Sequence, residues 1–340
     1  MRRVIVLGGL GHFGRIAAEQ LRLLRVGVQI ASRNPAADLQ VDANDAESIR
    51  AALRAGDIVI DAAGPFHGRS TALLESAIEI GVDLIDINDD LRYAEAVLAL
   101  QPQIESAGIR VLSSASTVSA VATAVVRDSG IAAPKRVTAF LVPAARHTAH
   151  TGAALSLIRS VGRPVRVFHD GHLEQCSGWS DPRRFPMPPS IGPICGRLFE
   201  SADALYLPRV WPSLRDVAMY VDTNTRGVNT LLRLAARSPV ARRLLERQVR
   251  MATWFARWLG SSAGGIGYEI EDAGGRIARY AIASEKNSFV AAVAPAVLAA
   301  QAVAEDRFPC RGLVLPDRHV EPFELFAFLQ SAGIPIRELS

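Results

Sequence analysis

Lysine is almost absent from this 340-residue chain, which has only Lys135 and Lys286 among its 38 basic residues. Schiff-base catalysis needs a desolvated lysine amine, so the sequence offers few candidates for that chemistry. The arginines that supply the other positive charges are not packed into a single run, and the formal net charge is +4. A nucleic-acid-binding stripe is therefore not expected.

Cysteine is also scarce, with three widely spaced residues at 176, 195 and 310. This spacing predicts neither a disulfide framework nor a zinc motif. No stretch reaches the roughly 18 unbroken apolar residues of a membrane span, so we expect no stable membrane insertion. The basic start of the chain resembles a signal peptide. However, glycines interrupt the apolar run that follows, and no small-residue cleavage site comes after it. We expect a first strand there and a cytoplasmic location.

Hydrophobic residues make up 49% of the chain and charged residues 21%. This composition favours folded domains over disorder, and the length suits two domains. Strand-like and helical patterns alternate over the first 115 residues. The predicted strands are 4–7, 28–31, 39–41, 58–62, 84–87 and 109–112, and the predicted helices are 11–24, 45–53, 70–80 and 91–107. Continuous apolar strands alternating with helices predict an α/β fold with a doubly wound parallel Rossmann sheet.

A glycine-rich segment, "VIVLGGLGHFGRIAAEQL", follows the first predicted strand. Gly9, Gly11 and Gly14 fit the pattern G-x-G-x-x-G directly before a helix. In such a motif the first glycine permits a tight turn, the second lets the backbone approach a pyrophosphate, and the third lets the helix pack on the strand. The helix start then holds the phosphate charge. The motif predicts a dinucleotide site, and the alternative is a glycine-rich turn of purely structural purpose.

The end of the second predicted strand selects between the two nicotinamide cofactors. An NAD site usually has a carboxylate there, which accepts hydrogen bonds from the ribose 2′-hydroxyl. This chain has Ser32-Arg33-Asn34 instead. A guanidinium matches a 2′-phosphate better, so we expect NADP, although an ordinary surface arginine is the alternative.

Two more strand ends point to the same crevice, because ligands of such sheets lie outside the carboxyl ends of the strands. The small turn at Ala63-Gly64 suits close passage of a cofactor. The acidic cluster after the fifth strand supplies Asp86 as a candidate catalytic group and Asn88 and Asp89 as candidate substrate contacts, unless Asp89 or Asp90 merely caps the next helix. The expected cofactor-binding residues are Gly9, Gly11, His12, Phe13, Gly14, Ser32, Arg33, Asn34, Asp42, Ala63, Gly64, Pro65 and Phe66.

Several segments resemble the saccharopine dehydrogenase-like NADP-binding family: "GGLGHFGRIAAEQL", "IASRN", "DIVIDAAGPFHGRSTALLESAIEIGVDLIDINDD" and "GIRVLSSASTVSAVA". The resemblance is strong over residues 1–125. It implies a Rossmann domain interrupted by a substrate and dimerisation domain, and hydride transfer at a carbon–nitrogen bond; relatives are thought to reduce lipid enoyl groups. Residues 115–120 read "ASTVSA" and depart from the family's Gly-x-x-Pro-Gly turn. This departure argues against a saccharopine-like substrate.

The residue pattern of the sequence changes after about residue 118. We assign residues 1–117 and 285–340 to the Rossmann domain, and residues 118–284 to an inserted α+β substrate and dimerisation domain. Within the insertion we predict helices at 118–126, 152–161 and 238–259 and strands at 136–142, 165–168, 216–221, 266–271 and 276–284. A helix at 289–303 leads back to the first domain. Residues 177–196, rich in proline, glycine and serine, are expected to form a loop over a cleft.

Candidate chemistry in the insertion is less specific. His147 and His150 precede a helix start that could bind an anion, and either could act as an acid or base; a structural or solvent-facing histidine is the alternative. Residues 169–176 contain two histidines, an aspartate and a cysteine, but a hairpin there need not make them converge, so no metal is expected. The stretch 242–258 could lie on an acidic membrane surface or a partner, or form an ordinary amphipathic helix with a solvated face.

Together these features predict an NADP(H)-dependent oxidoreductase that acts on a small-molecule imine, amine or carbonyl compound. The family resemblance adds the expectation of a homodimer. One alternative is an enoyl reductase with a lipid-like substrate. Another is a non-catalytic NADP(H)-binding sensor, which the lack of a decisive catalytic constellation would allow.

Overall fold

The computed structural model describes residues 2–148, 157–158, 160–225, 227–248, 251, 254, 258 and 260–339. The chain forms two compact units. The first comprises Met1–Ala124 and Val290–Leu325, and the second comprises Val125–Phe289 and Phe326–Ser340. The predicted boundaries are 117/118 and 284/285, with the whole tail in the first domain. The structure differs at the tail because the last strand pairs within the sheet of the second unit.

The first unit contains a seven-stranded parallel sheet. Its strands are β1 (Val4–Leu7), β2 (Val28–Ser32), β3 (Leu39–Gln40), β4 (Ile58–Asp61), β5 (Asp83–Asp86), β6 (Arg110–Leu112) and β15 (Gly312–Val314). The order β15-β6-β5-β4-β1-β2-β3 contains the Rossmann order, with the topological switch between β1 and β4. All four residues of β1, β4 and β5 are buried, as expected for strands covered on both faces. The predicted fold class is confirmed.

The first unit contains the first five helices of the described chain, two of which start at a side-chain cap. They are α1 (His12–Leu23), α2 (Ala46–Ala52), α3 (Ala72–Ile80), α4 (Leu91–Ala99) and α5 (Gln101–Ala107). Asp45 caps α2, and Asp90 caps α4 by accepting from two backbone N–H groups. The predicted single helix 91–107 is divided into α4 and α5 because Pro102 takes the first turn of a new helix. The helix α6 (Ala120–Asp128) leads out of this unit.

The second unit is built around a mixed nine-stranded sheet. Its main path is β10 (Arg183–Pro186), β11 (Pro193–Phe199), β12 (Asp216–Val221), β7 (Pro134–Val142), β13 (Gly264–Asp272), β14 (Ile277–Ser284) and β16 (Ile336–Leu339). The hairpin β8 (Pro164–His169) and β9 (His172–Ser177) attaches to β12. β12 and β7 are parallel, and the other pairs are antiparallel. This arrangement agrees with the expected α+β character.

Three predictions in the second unit need correction. The expected loop 177–196 contains β10 and the start of β11, because buried and less buried residues alternate along β11 despite its proline and glycine. The expected helix 238–259 is interrupted, since the helix α10 (Pro239–Arg247) ends at Gln248. The helices α8 (Asp203–Val210) and α9 (Val228–Ala236) were not predicted. Most of the expected helix 152–161 lies outside the described residues.

The remaining helices complete both units. They are α7 (Ala145–Thr148), α11 (Ala294–Ala304), which follows a 3-10 turn, and α12 (Pro322–Ser331). α11 is largely buried and packs beside α1 and β4 in the first unit. Among the described residues, no helix combines the length and apolarity needed to cross a membrane.

Candidate dinucleotide-binding site

The turn after β1 depends on Gly8. Its φ of +77° lies in the left-handed region that favours glycine. A Cβ on Gly8 would lie 2.7 Å from the carbonyl oxygen of Ala62 and from backbone atoms of Ala63. The backbones that follow β1 and β4 therefore touch at the switch point, where a doubly wound sheet opens its ligand crevice.

The three glycines of the motif differ in what surrounds them. A Cβ on Gly9 would meet the side chain of Ile30 at 2.6 Å, and a Cβ on Gly14 would meet the carbonyl oxygen of Gly8 at 2.2 Å. Both glycines are thus required by packing of the protein itself. Gly11 is less confined, since its only close neighbour would be the Gly8 oxygen at 3.0 Å. It is also the N-cap of α1, and no side chain caps this helix start. The tight turn, which the sequence analysis gave to Gly9, belongs to Gly8.

His12 and Phe13 form the first turn of α1, with their rings edge to face at a centroid distance of 5.1 Å. Both are partly exposed. A helix start whose N–H groups are not capped by a side chain favours an anionic group beside it. The expected phosphate-binding residues therefore lie together at one helix start.

The end of β2 presents a solvent-exposed arginine. The Arg33 side chain forms no ion pair or side-chain hydrogen bond with any described residue, whereas its carbonyl oxygen accepts from Gln40 at 3.3 Å. The Ser32 hydroxyl and the Asn34 side chain each accept a backbone N–H group and shape the turn. The Asp42 carboxylate likewise accepts the backbone N–H group of Asn44, with a nitrogen–oxygen distance of 3.0 Å. Of the side chains at Ser32, Arg33, Asn34 and Asp42, all are thus turn-forming except that of Arg33.

A buried ion pair organises the loop after β4. The Arg69 side chain is 2% exposed and Asp61, the last residue of β4, is fully buried. Their nearest nitrogen and oxygen atoms are 2.8 Å apart. Arg69 also donates to the carbonyl oxygen of Ala63 at 2.8 Å and lies 5.1 Å from the centroid of the Phe66 ring. The sequence analysis did not identify Arg69, because nothing in the sequence spacing links it to Asp61.

Gly64 and Pro65 are exposed residues of this loop. A Cβ added at Gly64 would have no atom of a described residue within 4 Å. Phe66, by contrast, is buried and packs against Tyr93 at a ring-centroid distance of 5.2 Å. Phe66 therefore anchors the loop from the inside, while Gly64 leaves open space at its surface.

Asp86, at the end of β5, is fully buried. Its Oδ1 accepts from the backbone N–H groups of Asn88 and Ser114, at 3.0 and 2.8 Å, and from the Ser113 hydroxyl at 3.2 Å. Its Oδ2 has no hydrogen-bond partner among the described residues. Desolvation raises the pKa of Asp86 to about 6, although the hydrogen bonds to Oδ1 oppose the shift. These contacts join β5 to the turn after β6, and a role in proton transfer stays a prediction.

The loop after β5 brings a histidine and a carboxylate together. His67 Nδ1 lies 3.2 Å from Asp90 Oδ2, while the other oxygen of Asp90 caps α4. Asn88 is buried and bonds twice to the backbone of Asp90. Asp89 is exposed. The helix cap is thus Asp90, and the sequence analysis missed the pairing with His67 because the partners lie 23 residues apart.

The candidate catalytic and metal-binding side chains of the second unit do not form a comparable cluster among the described residues. His147 is exposed, with its ring edge to face with Phe289 at 6.1 Å, and His150 lies outside the described residues. Across the β8–β9 turn, His169 Nδ1 is 2.6 Å from Asp216, and Asp170 pairs with Arg215 at 2.6 Å. The described residues contain no group of three or more metal-ligating side chains.

Comparisons with known proteins agree with this geometry. Residues 4–112 match the family model described as the saccharopine dehydrogenase NADP binding domain. A search of curated proteins found no match. The described fold resembles saccharopine dehydrogenase (L-Glu forming) from Saccharomyces cerevisiae, with a TM-score of 0.65 and 12% identity over 100% of both chains. Myo-inositol 2-dehydrogenase from Lactobacillus plantarum has a TM-score of 0.43 and 11% identity, over 100% of this chain and 99% of that one.

The matched segment spans β1 to β6, and so it includes the glycine-rich turn and Arg33. It confirms the family resemblance over this part of the chain. At 12% identity, the similarity to the yeast enzyme describes the fold alone. The matched domain and the site geometry together support an oxidoreductase that uses a nicotinamide dinucleotide.

Proposed function

We propose that this chain, whose residues 4–112 match a saccharopine dehydrogenase NADP-binding domain, is an NADP(H)-dependent oxidoreductase. Its substrate class would be a small-molecule imine, amine or carbonyl compound. The observation that carries the proposal is the position of Arg33, exposed and unpaired among the described residues at the end of β2, beside a glycine-rich turn that opens α1.

Two features of the turn suit a pyrophosphate. Gly11 keeps side-chain atoms away from the start of α1, where the helix dipole and free N–H groups favour negative charge. The loop after β4 lies against the same turn, through the approach of Ala62 and Ala63 to Gly8. A dinucleotide crossing the switch point would therefore run along the exposed backbone at Gly64.

The choice of NADP follows from charge. The turn at 32–34 has no carboxylate to accept hydrogen bonds from a ribose 2′-hydroxyl. A guanidinium can instead form charge-assisted hydrogen bonds with a 2′-phosphate. Arg33 is free to do so, because no ion pair with a described residue holds it elsewhere.

The bound nicotinamide would supply the hydride, and the protein residues would bind, orient and exclude water. A proton must accompany the hydride when a carbonyl or imine is reduced. His67, oriented by Asp90 at the carboxyl edge of the sheet, is a suitable group to hold that proton. The carbon–nitrogen substrate class is taken from the family, and the homodimer stays a prediction.

Fluorescence titration with NADPH and NADH tests the cofactor assignment. We expect tighter binding of NADPH, and Arg33→Ala should weaken NADPH binding about tenfold or more while leaving NADH unchanged. Gly64→Ala should weaken both, because its methyl group would meet the cofactor and no protein atom. Gly27→Ala is the matched control, since a Cβ there also meets no protein atom, yet Gly27 lies before β2, at the opposite edge of the sheet.

Tighter binding of NADH than NADPH, unaffected by Arg33→Ala, would overturn the assignment to NADP. Equal effects of Gly64→Ala and Gly27→Ala would remove the loop after β4 from the cofactor path. Tight NADPH binding without turnover of imine, carbonyl or enoyl substrates would favour the non-catalytic alternative.

A further inference from the structure

Large apolar side chains of the second unit are exposed between residues 231 and 258. Ten such side chains are strongly exposed among the described residues of the whole chain, and seven of them lie between residues 231 and 258. We call these seven the apolar face: Leu231, Leu234, Val240, Leu244, Met251, Trp254 and Trp258. Concentrations of exposed apolar side chains in one segment point to an interaction surface.

The helix α9 shows that this exposure is not a consequence of loose packing. Leu232 and Ala235 of α9 are both 2% exposed, so this helix already buries one apolar side in the protein. Leu231 and Leu234, on another side of the same helix, are 53% and 54% exposed. α9 therefore has an additional apolar side that the described residues leave exposed.

The helix α10 carries two side chains of the apolar face with charge beside them. Val240 and Leu244 are four residues apart and thus share one side of the helix, at 76% and 61% exposure. Arg243 and Arg247, also four residues apart, are exposed next to them. Beyond α10, Met251, Trp254 and Trp258 are helical and spaced by three and four residues, and the two indole rings are 5.9 Å apart. On α10, an apolar pair and a cationic pair of side chains thus lie next to each other.

Charge is concentrated in the same segment. Residues 227–260 contain seven arginines and one glutamate, a net charge of +6, whereas the whole chain has +4. The rest of the chain therefore has a net charge of −2. Arg233, Arg237, Arg243 and Arg247 are exposed and form no ion pair with a described residue. Such a face attracts an anionic partner.

We propose that the apolar face binds peripherally to an anionic lipid surface. Apolar side chains, including two tryptophans, would enter the headgroup and acyl boundary, while the neighbouring arginines remain at the level of the lipid phosphates. A second copy of the chain fits less well. A two-fold interface brings the same patch against itself, so two surfaces of net positive charge would meet. The binding requires no spanning helix.

Flotation with lipid vesicles tests this proposal on the full chain. We expect binding to phosphatidylcholine vesicles that contain about one third phosphatidylserine, little binding to phosphatidylcholine alone, and release at high salt. The emission of Trp254 and Trp258 should shift to the blue on binding. Arg243→Glu/Arg247→Glu should weaken binding about tenfold or more, and Trp254→Ser/Trp258→Ser should abolish the blue shift.

The controls are matched in chemistry but lie in the first unit. Arg22→Glu/Arg54→Glu reverses two exposed arginines, and Phe323→Ser removes an apolar side chain that is 84% exposed. Neither should change vesicle binding. The proposal is wrong if the wild-type chain does not float with anionic vesicles, or if the control variants lose binding as much as the test variants. It is also wrong if sedimentation shows a dimer that Trp254→Ser/Trp258→Ser dissociates, since a second copy would then cover the face.

Discussion

His67 and Asp90 illustrate how single residues acquire a candidate role through the fold. Each follows a different strand of the parallel sheet, and the sheet brings both strand ends to the same edge. Asp90 is held by the backbone of α4, so it can orient the imidazole without moving. A histidine oriented by a fixed carboxylate is a common arrangement for acid–base catalysis.

We expect His67→Gln to lower turnover of a reducible substrate about a hundredfold while leaving the affinity for NADPH unchanged. The measurement is NADPH oxidation with mixtures of keto acids and amines, alongside a fluorescence titration of the cofactor. His169→Gln is the matched control, because His169 is also paired with a carboxylate, Asp216, but in the second unit. Unchanged turnover in His67→Gln would remove this histidine from the mechanism.

The loop after β4 is the element that joins the cofactor turn to the core. Arg69 is buried with Asp61 and bonds to the Ala63 carbonyl, so one guanidinium holds both the strand end and the loop. Removing one partner of a buried ion pair leaves the other charge desolvated and unpaired. The stability of this element therefore depends on both residues being present.

Arg69→Met should lower the free energy of unfolding by about 3–5 kcal/mol, measured by urea denaturation. The double variant Asp61→Asn/Arg69→Met should recover part of this loss, because no unpaired carboxylate remains. Arg50→Met is the control: its ion pair with Glu79 is exposed, so we expect a change of about 1 kcal/mol or less. An equal loss in Arg69→Met and Arg50→Met would contradict the importance of the buried pair.

The elements of the first unit could be predicted because their signals are local. Apolar runs, Asp45 as a cap and Gly81 as a helix stop lie next to the residues they affect. β11 was missed because its pairing with β12 depends on residues further along the chain, and β10 was missed because it forms a strand only by pairing with β11. The glycine motif, which is a local signal, located the candidate site. The pairs of Asp61 with Arg69 and of His67 with Asp90 appeared only in the folded chain.

At the scale of the whole molecule, two buried titratable groups of the first unit oppose each other in their effect on stability. Burial lowers the pKa of His319 to about 4, and its Nε2 lies 2.9 Å from the Val314 carbonyl oxygen. The unfolded chain therefore binds this proton more readily, so stability rises as the pH increases from about 4 to the ordinary histidine value near 6.5.

Asp86 acts in the other direction, because burial raises its pKa to about 6. The folded chain then binds the proton more readily, and stability falls as the pH increases from about 4 to 6.

Each shift corresponds to about 3 kcal/mol, so the two contributions nearly cancel over this pH range. We expect single variants to reveal them in urea unfolding at pH 4.5 and 7. His319→Gln, which keeps a donor for Val314, should make the protein lose stability towards neutral pH relative to the wild type. Asp86→Asn, which keeps the acceptor for Ser114 and Asn88, should make it lose stability towards acidic pH. The double variant should return to the wild-type slope, whereas parallel slopes in all four proteins would show that neither group titrates between the folded and unfolded states.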